Sequence, residues 1–166
     1  MSKLPIIILK KLIYSIECFD IQNIITIFAR NISGDIMCNI KYYIDETAAY
    51  FGNMLGEKVA LEPADKDLLE GIPMNVSSRF SFYKGCILGQ HILMAYLKDG
   101  DSVPPAQLKK QLDIIHRQTQ LVVVLITPCI SSYNKVRLVA QKVNFVIPNR
   151  QMFLPSLLLD IKPDRK

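Results

Sequence analysis

The sequence predicts an α/β fold on a mixed sheet, with a β-hairpin followed by helix, strand, helix and strand. Three observations carry that expectation. Phe80–Leu88 and His91–Lys98 are two β-rich runs separated by Gly89-Gln90, a hairpin signal. Leu108, Leu112 and Ile115 recur at i, i+4 and i+7, the apolar stripe of a helix. Leu121–Ile126 is a continuous apolar run of the kind found in strands buried on both faces. A strand that leads through a helix into a neighbouring parallel strand does so with right-handed crossovers, so the sheet is expected to be part antiparallel and part parallel.

From the N-terminus, Ile6–Arg30 has apolar residues largely at helical spacing and predicts one or two helices, with Asn31–Gly34 as a loop. Asp45 or Thr47 is placed to cap a helix through Leu55, with Ala48, Phe51 and Leu55 on one face and Gly56 as its stop. Lys58–Leu61 reads as a short strand and Pro63–Glu70 as a turn or single helical turn. After the hairpin, Asp99–Ser102 is a polar loop, and Pro104-Pro105 opens a helix to Gln118. Ser131 or Ser132 caps the next helix, whose expected buried stripe is Val136, Val139, Ala140 and Val143. Asn144–Ile147 is a strand, Pro148–Arg150 a turn, and Gln151–Leu154 a last extended piece.

Half of the 166 residues are hydrophobic and about a fifth charged, the composition of a globular chain. The net charge of +5 is uneven: residues 1–83 carry 8 basic and 10 acidic groups, residues 84–166 carry 12 and 5. A basic half of this kind attracts phosphates or an acidic partner, and equally serves as a solvated surface. The N-terminal apolar runs are broken by Lys10-Lys11 and by Asp20, Gln22 and Asn23. They are too short to span a bilayer or to form a signal-peptide core. A cytoplasmic protein with no membrane partner and reduced thiols is therefore expected.

No sequence pattern points to a metal, a cofactor or a nucleophile. The cysteines Cys18, Cys38, Cys86 and Cys129 form no Cys-x-x-Cys pair, so no metal site is expected. His91 and His116 lie outside any nucleophile-elbow motif, and the glycines form no phosphate-cradling loop. Neither a catalytic residue nor a cofactor is expected. A hairpin followed by helix and strand does resemble the layout of restriction-endonuclease-like nucleases, which hold magnesium on strand carboxylates with a lysine close by. The hairpin strands here, FSFYKGCIL and HILMAYLK, have no acid, while Glu62, Asp65 and Lys66 precede them. The resemblance therefore implies a degenerate, catalytically inactive relative of that layout.

The segment from Ser131 to Pro155, SSYNKVRLVAQKVNFVIPNRQMFLP, resembles a stretch of bacterial MarR-like transcriptional regulators of the form SSYNRKRLIEQKVPFIVPG-x-Q-x-YLP. The likeness extends more weakly back through FYKGCILGQHILMAYLKDGDSVPPAQLKKQL and covers Lys41 to Asp160. Ala140 replaces an acid, Asn144 a proline, Asn149 the turn glycine and Phe153 a tyrosine. In such regulators a winged helix follows, where this chain reaches Lys166. Residues 1–36 lie outside the likeness and are expected to form a helical N-terminal extension. Residues 37–166 would form a single α/β regulatory domain without the winged-helix DNA reader.

Two functions are expected, neither enzymatic. One is a regulatory or dimerisation domain of a bacterial transcriptional regulator. The other is a standalone nucleic-acid-associated protein on an inactive nuclease-like fold. The expected partners are a second copy of the chain and DNA, the latter through the basic C-terminal half. Tyr133, Asn134, Lys135, Arg137, Arg150 and Gln151 are the candidate nucleic-acid or ligand-binding residues. Structural duties also suit several of them: Asn134 in the first helical turn after a serine cap, and Gln151 satisfying backbone groups beside the turn.

Overall fold

A computed structural model describes residues 35–98 and 103–161. The chain divides into two units, Met1–Asn39 and Ile40–Lys166, and the sheet belongs to the second. The expected helices and loop of residues 6–34, most of the expected extension 1–36 and the loop Asp99–Ser102 lie outside the described residues.

The elements in order are α1 (Asp35–Leu55), β1 (Leu61–Pro63), a 3-10 turn (Asp67–Leu69) and α2 (Met74–Ser77). Then come β2 (Phe80–Ile87), β3 (Gln90–Leu97), α3 (Pro105–Thr119), β4 (Val122–Ile126) and α4 (Ser132–Ala140). The chain closes on β5 (Phe145–Ile147), β6 (Gln151–Leu154), a 3-10 turn (Pro155–Leu157) and β7 (Leu159–Ile161). The seven strands among the described residues form one sheet, and their order across it is their order in the sequence. Pairs β1–β2, β2–β3, β5–β6 and β6–β7 are antiparallel, whereas β3–β4 and β4–β5 are parallel. The protein is thus α/β with a mixed sheet.

Strand alternation divides the core in two. Leu93, Ala95 and Leu97 of β3 pack with Val123 and Leu125 of β4 against Leu108, Leu112 and Ile115 of α3 and Leu138 of α4. The residues between them, Ile92, Met94 and Tyr96 with Val124 and Ile126, pack against Ile44, Tyr50 and Phe51 of α1. Helices therefore cover both faces. The crossovers from β3 to β4 and from β4 to β5 step the same way across the sheet, so a common hand brings α3 and α4 to one face, and that is where both lie. With both faces covered, the central strands carry no polar alternation, as their unbroken apolar runs anticipated.

Several boundaries differ from expectation for local reasons. Helix α1 starts ten residues before Asp45, so neither Asp45 nor Thr47 caps it; the Thr47 hydroxyl donates to the Tyr43 carbonyl at 2.6 Å within the helix. The first strand sits at Leu61–Pro63 rather than Lys58–Leu61. A proline is admissible there because β1 is an edge strand whose ladder it need not extend. The hairpin turn is Leu88-Gly89, one residue earlier than expected, with φ of 50° and 75°. Two successive left-handed residues match the strand twist of a tight hairpin, and glycine takes one of them without strain.

Candidate functional site

Helix α4 carries four of the six residues expected to bind a ligand, and its orientation is the main surprise of the fold. Ser131 is the N-cap: its hydroxyl accepts from the Asn134 backbone N–H at 3.3 Å. The C-terminus closes on Lys142 in the left-handed region, φ 53°. Lys142 N–H donates to Val139 O and Val143 N–H to Leu138 O, each at 3.0 Å. These are the two bonds of a Schellman closure, which brings the residue after the left-handed position back over the helix's last turn. Val143 and Leu138 accordingly lie in one core cluster.

That closure fixes which side of α4 faces inward. Leu138 is fully buried, while Val136 is 67% and Val139 36% exposed, and Ala140 is also exposed. The expected stripe of Val136, Val139, Ala140 and Val143 is thus corrected: of its four members only Val143, beyond the helix, is buried. Tyr133, Val136 and Ala140, at i, i+3 and i+7, line the solvent side, with Tyr133 63% exposed. The Arg137 guanidinium lies 4.1 Å from the Tyr133 ring centroid, a cation–π contact one turn along the helix. Lys135 is half-buried on the opposite border.

Tyr133, Lys135 and Arg137 are therefore gathered on the outer side and borders of one helix, and the other three candidates face elsewhere. Asn134, on the same helix, turns inward and lines a small cavity of about 10 Å³ with Leu97, Val103, Leu108 and Leu138. Arg150 is exposed in the turn between β5 and β6, where its N–H donates to Ile147 O at 3.0 Å. Asn149 holds φ 59° in that turn, a conformation asparagine tolerates better than most residues, and its side chain donates to Glu46 Oε2 at 2.8 Å. Gln151 is only 6% exposed, inside β6 opposite Ile147, so it faces no surface partner.

A second cluster escaped the sequence reading. A cleft of about 450 Å³ beside β1, β2 and β3 is lined by Glu62, Lys84 and His91 with Ala60, Leu68, Gly85, Ile92 and Leu121. Glu62 is the cross-strand neighbour of Lys84, and Asp65 Oδ2 accepts from Lys84 Nζ at 2.8 Å. That hydrogen bond, with the charge of Asp65, raises the Lys84 pKa. At Gly85 a Cβ would stand 2.6 Å from Leu61 Cδ2, which would have to shift, and 3.1 Å from the Ala60 carbonyl. Cys86 pairs across the hairpin with His91, one pair beyond the turn, where side chains approach most closely. Two signals could have found this cluster: Pro63 ending an edge strand, and the tight turn at Gly89, which dictates the Cys86–His91 register. Among the described residues no group of three or more His, Cys, Asp or Glu is placed to hold a metal ion.

Comparison with protein-family models, curated proteins and solved structures gives no match. Among the described residues no helix is long and apolar enough to cross a membrane.

Proposed function

We infer that this chain is the non-enzymatic regulatory domain of a bacterial transcriptional regulator and works through the outer face of α4. The observation that carries this reading is the exposed apolar stripe Tyr133, Val136, Val139 and Ala140 on a single short helix. Scattered apolar residues on a surface need no explanation, but an apolar stripe along one helix with a cation beside it supports reading that face as one that meets a partner. Residues that such regulators share with Ser131–Pro155 build this helix, its cap and the strand behind it. The Lys84 cleft, by contrast, has its lysine engaged by Asp65.

The test is transcript profiling in the bacterium that carries the gene. Val136→Asp is expected to reproduce the transcript changes of a deletion, whereas Lys84→Ala leaves them as in the wild type. Unchanged transcripts in the deletion strain would remove the regulatory reading altogether.

A second reading, a nucleic-acid-associated protein on a nuclease-like layout, is favoured by one observation. An antiparallel β1–β2–β3 meander passes through a helix into parallel β4, with Glu62 and Asp65 converging on Lys84. Fluorescence anisotropy with duplex DNA separates the two. Affinity that falls steeply with salt and weakens in Lys135→Ala and Arg137→Ala supports it, and no binding at low salt sinks it.

A further inference from the structure

We propose that the outer face of α4 docks an amphipathic helix with acidic flanks, supplied by a partner protein. The inference rests on α4 being the working face and names its occupant.

Shape comes first. Tyr133, Val136 and Ala140 follow the i, i+3, i+7 spacing by which one helix seats against another. Apart from Tyr133 the side chains are small. A second helix can approach such a surface to about 8–10 Å between axes, its ridges in the grooves between them. Helices that lie in a membrane surface present bulky Leu, Phe and Trp instead. That contrast favours a protein partner.

Charge then selects among protein partners. Arg137 flanks the stripe on one side, held over Tyr133, and Lys135 flanks it on the other, with Lys142 exposed just beyond the end of the helix. Residues 114–159 contain no acidic residue, so nothing in this stretch of chain neutralises those cations. A second copy packed about a two-fold axis would set each cationic border against another cationic border, which like-charge repulsion opposes. Nucleic acid would engage the cations but leave the apolar stripe without a matching surface. An amphipathic helix edged with Glu or Asp satisfies both features at once.

The experiment uses the full chain and two labelled helical peptides of about three heptads, one with Leu along its seam and Glu at the flanks, the other with Lys at the flanks. Anisotropy is expected to show binding of the Glu peptide alone. Val136→Asp should weaken it about tenfold or more, and Arg137→Glu should transfer the preference to the Lys peptide. Lys84→Ala is the unaffected control, and thermal melts verify that the variants fold. Equal affinity for both peptides, or undiminished binding by Val136→Asp, overturns the proposal. So does binding confined to phosphatidylglycerol vesicles or to duplex DNA. A dimer that Val136→Asp dissociates, with no peptide bound, would give the face to a second copy; the acidic-helix proposal would fall while α4 stayed the working face.

Discussion

Leu138→Ala and Val136→Ala together test the orientation of α4, on which the functional reading depends. Leu138 has no exposure and packs with Val143 in the core beneath α3 and α4. Truncating a fully buried leucine removes its transfer free energy and leaves a cavity that the surroundings only partly fill, a cost of about 2–5 kcal/mol. The Schellman closure holds Leu138 and Val143 in place, which limits collapse and argues for the middle of that range, about 3 kcal/mol. For a chain of this length that lowers the melting temperature by roughly 6–12 °C. Val136, two-thirds exposed, loses little burial on truncation, and alanine's better helix propensity returns up to about 0.6 kcal/mol. Its stability should therefore stay within about 0.5 kcal/mol of the wild type. Urea unfolding followed by circular dichroism reads both. If Val136→Ala costs as much as Leu138→Ala, the helix is turned the other way and the exposed stripe does not exist.

Lys142→Gly should stabilise the protein by up to about 1 kcal/mol, because glycine holds the left-handed position without the side-chain penalty; a loss of stability in urea would contradict the closure at φ 53°. Asn144→Ala should cost about 1–3 kcal/mol, since its amide donates to Val123 O at 3.2 Å and accepts from Ser156 N–H at 3.1 Å, and an unchanged midpoint would show that these bonds carry no weight. Burial, with the nearby Tyr43 and Tyr83, raises the Tyr96 pKa above its ordinary value of 10.0. Below pH ~10 the phenol is neutral in both states, and above it the unfolded chain ionises first, so stability falls as pH rises beyond that value. Ultraviolet titration should accordingly show Tyr96 ionising only with unfolding; seven tyrosines titrating reversibly together would refute this.

How legible was this in the sequence? Periodicity and turn chemistry were enough for the sheet's centre. Leu108, Leu112 and Ile115 face the core as their spacing required, and Gln151–Leu154 is a strand over the expected residues. The α1 start was missed because Asp45 and Thr47 look like caps when only local chemistry is weighed, whereas the Thr47 hydroxyl finds its partner one turn back. For α4 the helical period admitted two faces of comparable hydrophobicity, one through Val136 and Ala140 and one through Leu138. What chose between them is the left-handed Lys142, and lysine gives no hint of that conformation. The candidate surface was half legible for the same reason: Tyr133, Lys135 and Arg137 share a helix by spacing alone, while Gln151 looks like a surface residue until β6 buries it. The Glu62–Lys84–Asp65 grouping depends on a three-residue edge strand, too short to announce itself.

Because the seven strands of the described residues lie in the sheet in the order in which they are synthesised, none of these seven has to be inserted between two that are already paired. A ribosome delivers the chain N-terminus first, so β2 and β3 can join before α3 has emerged, and each later strand adds to an edge that is already waiting. Pairing between sequence neighbours keeps the loops to be closed short, which favours fast folding for a sheet of this size.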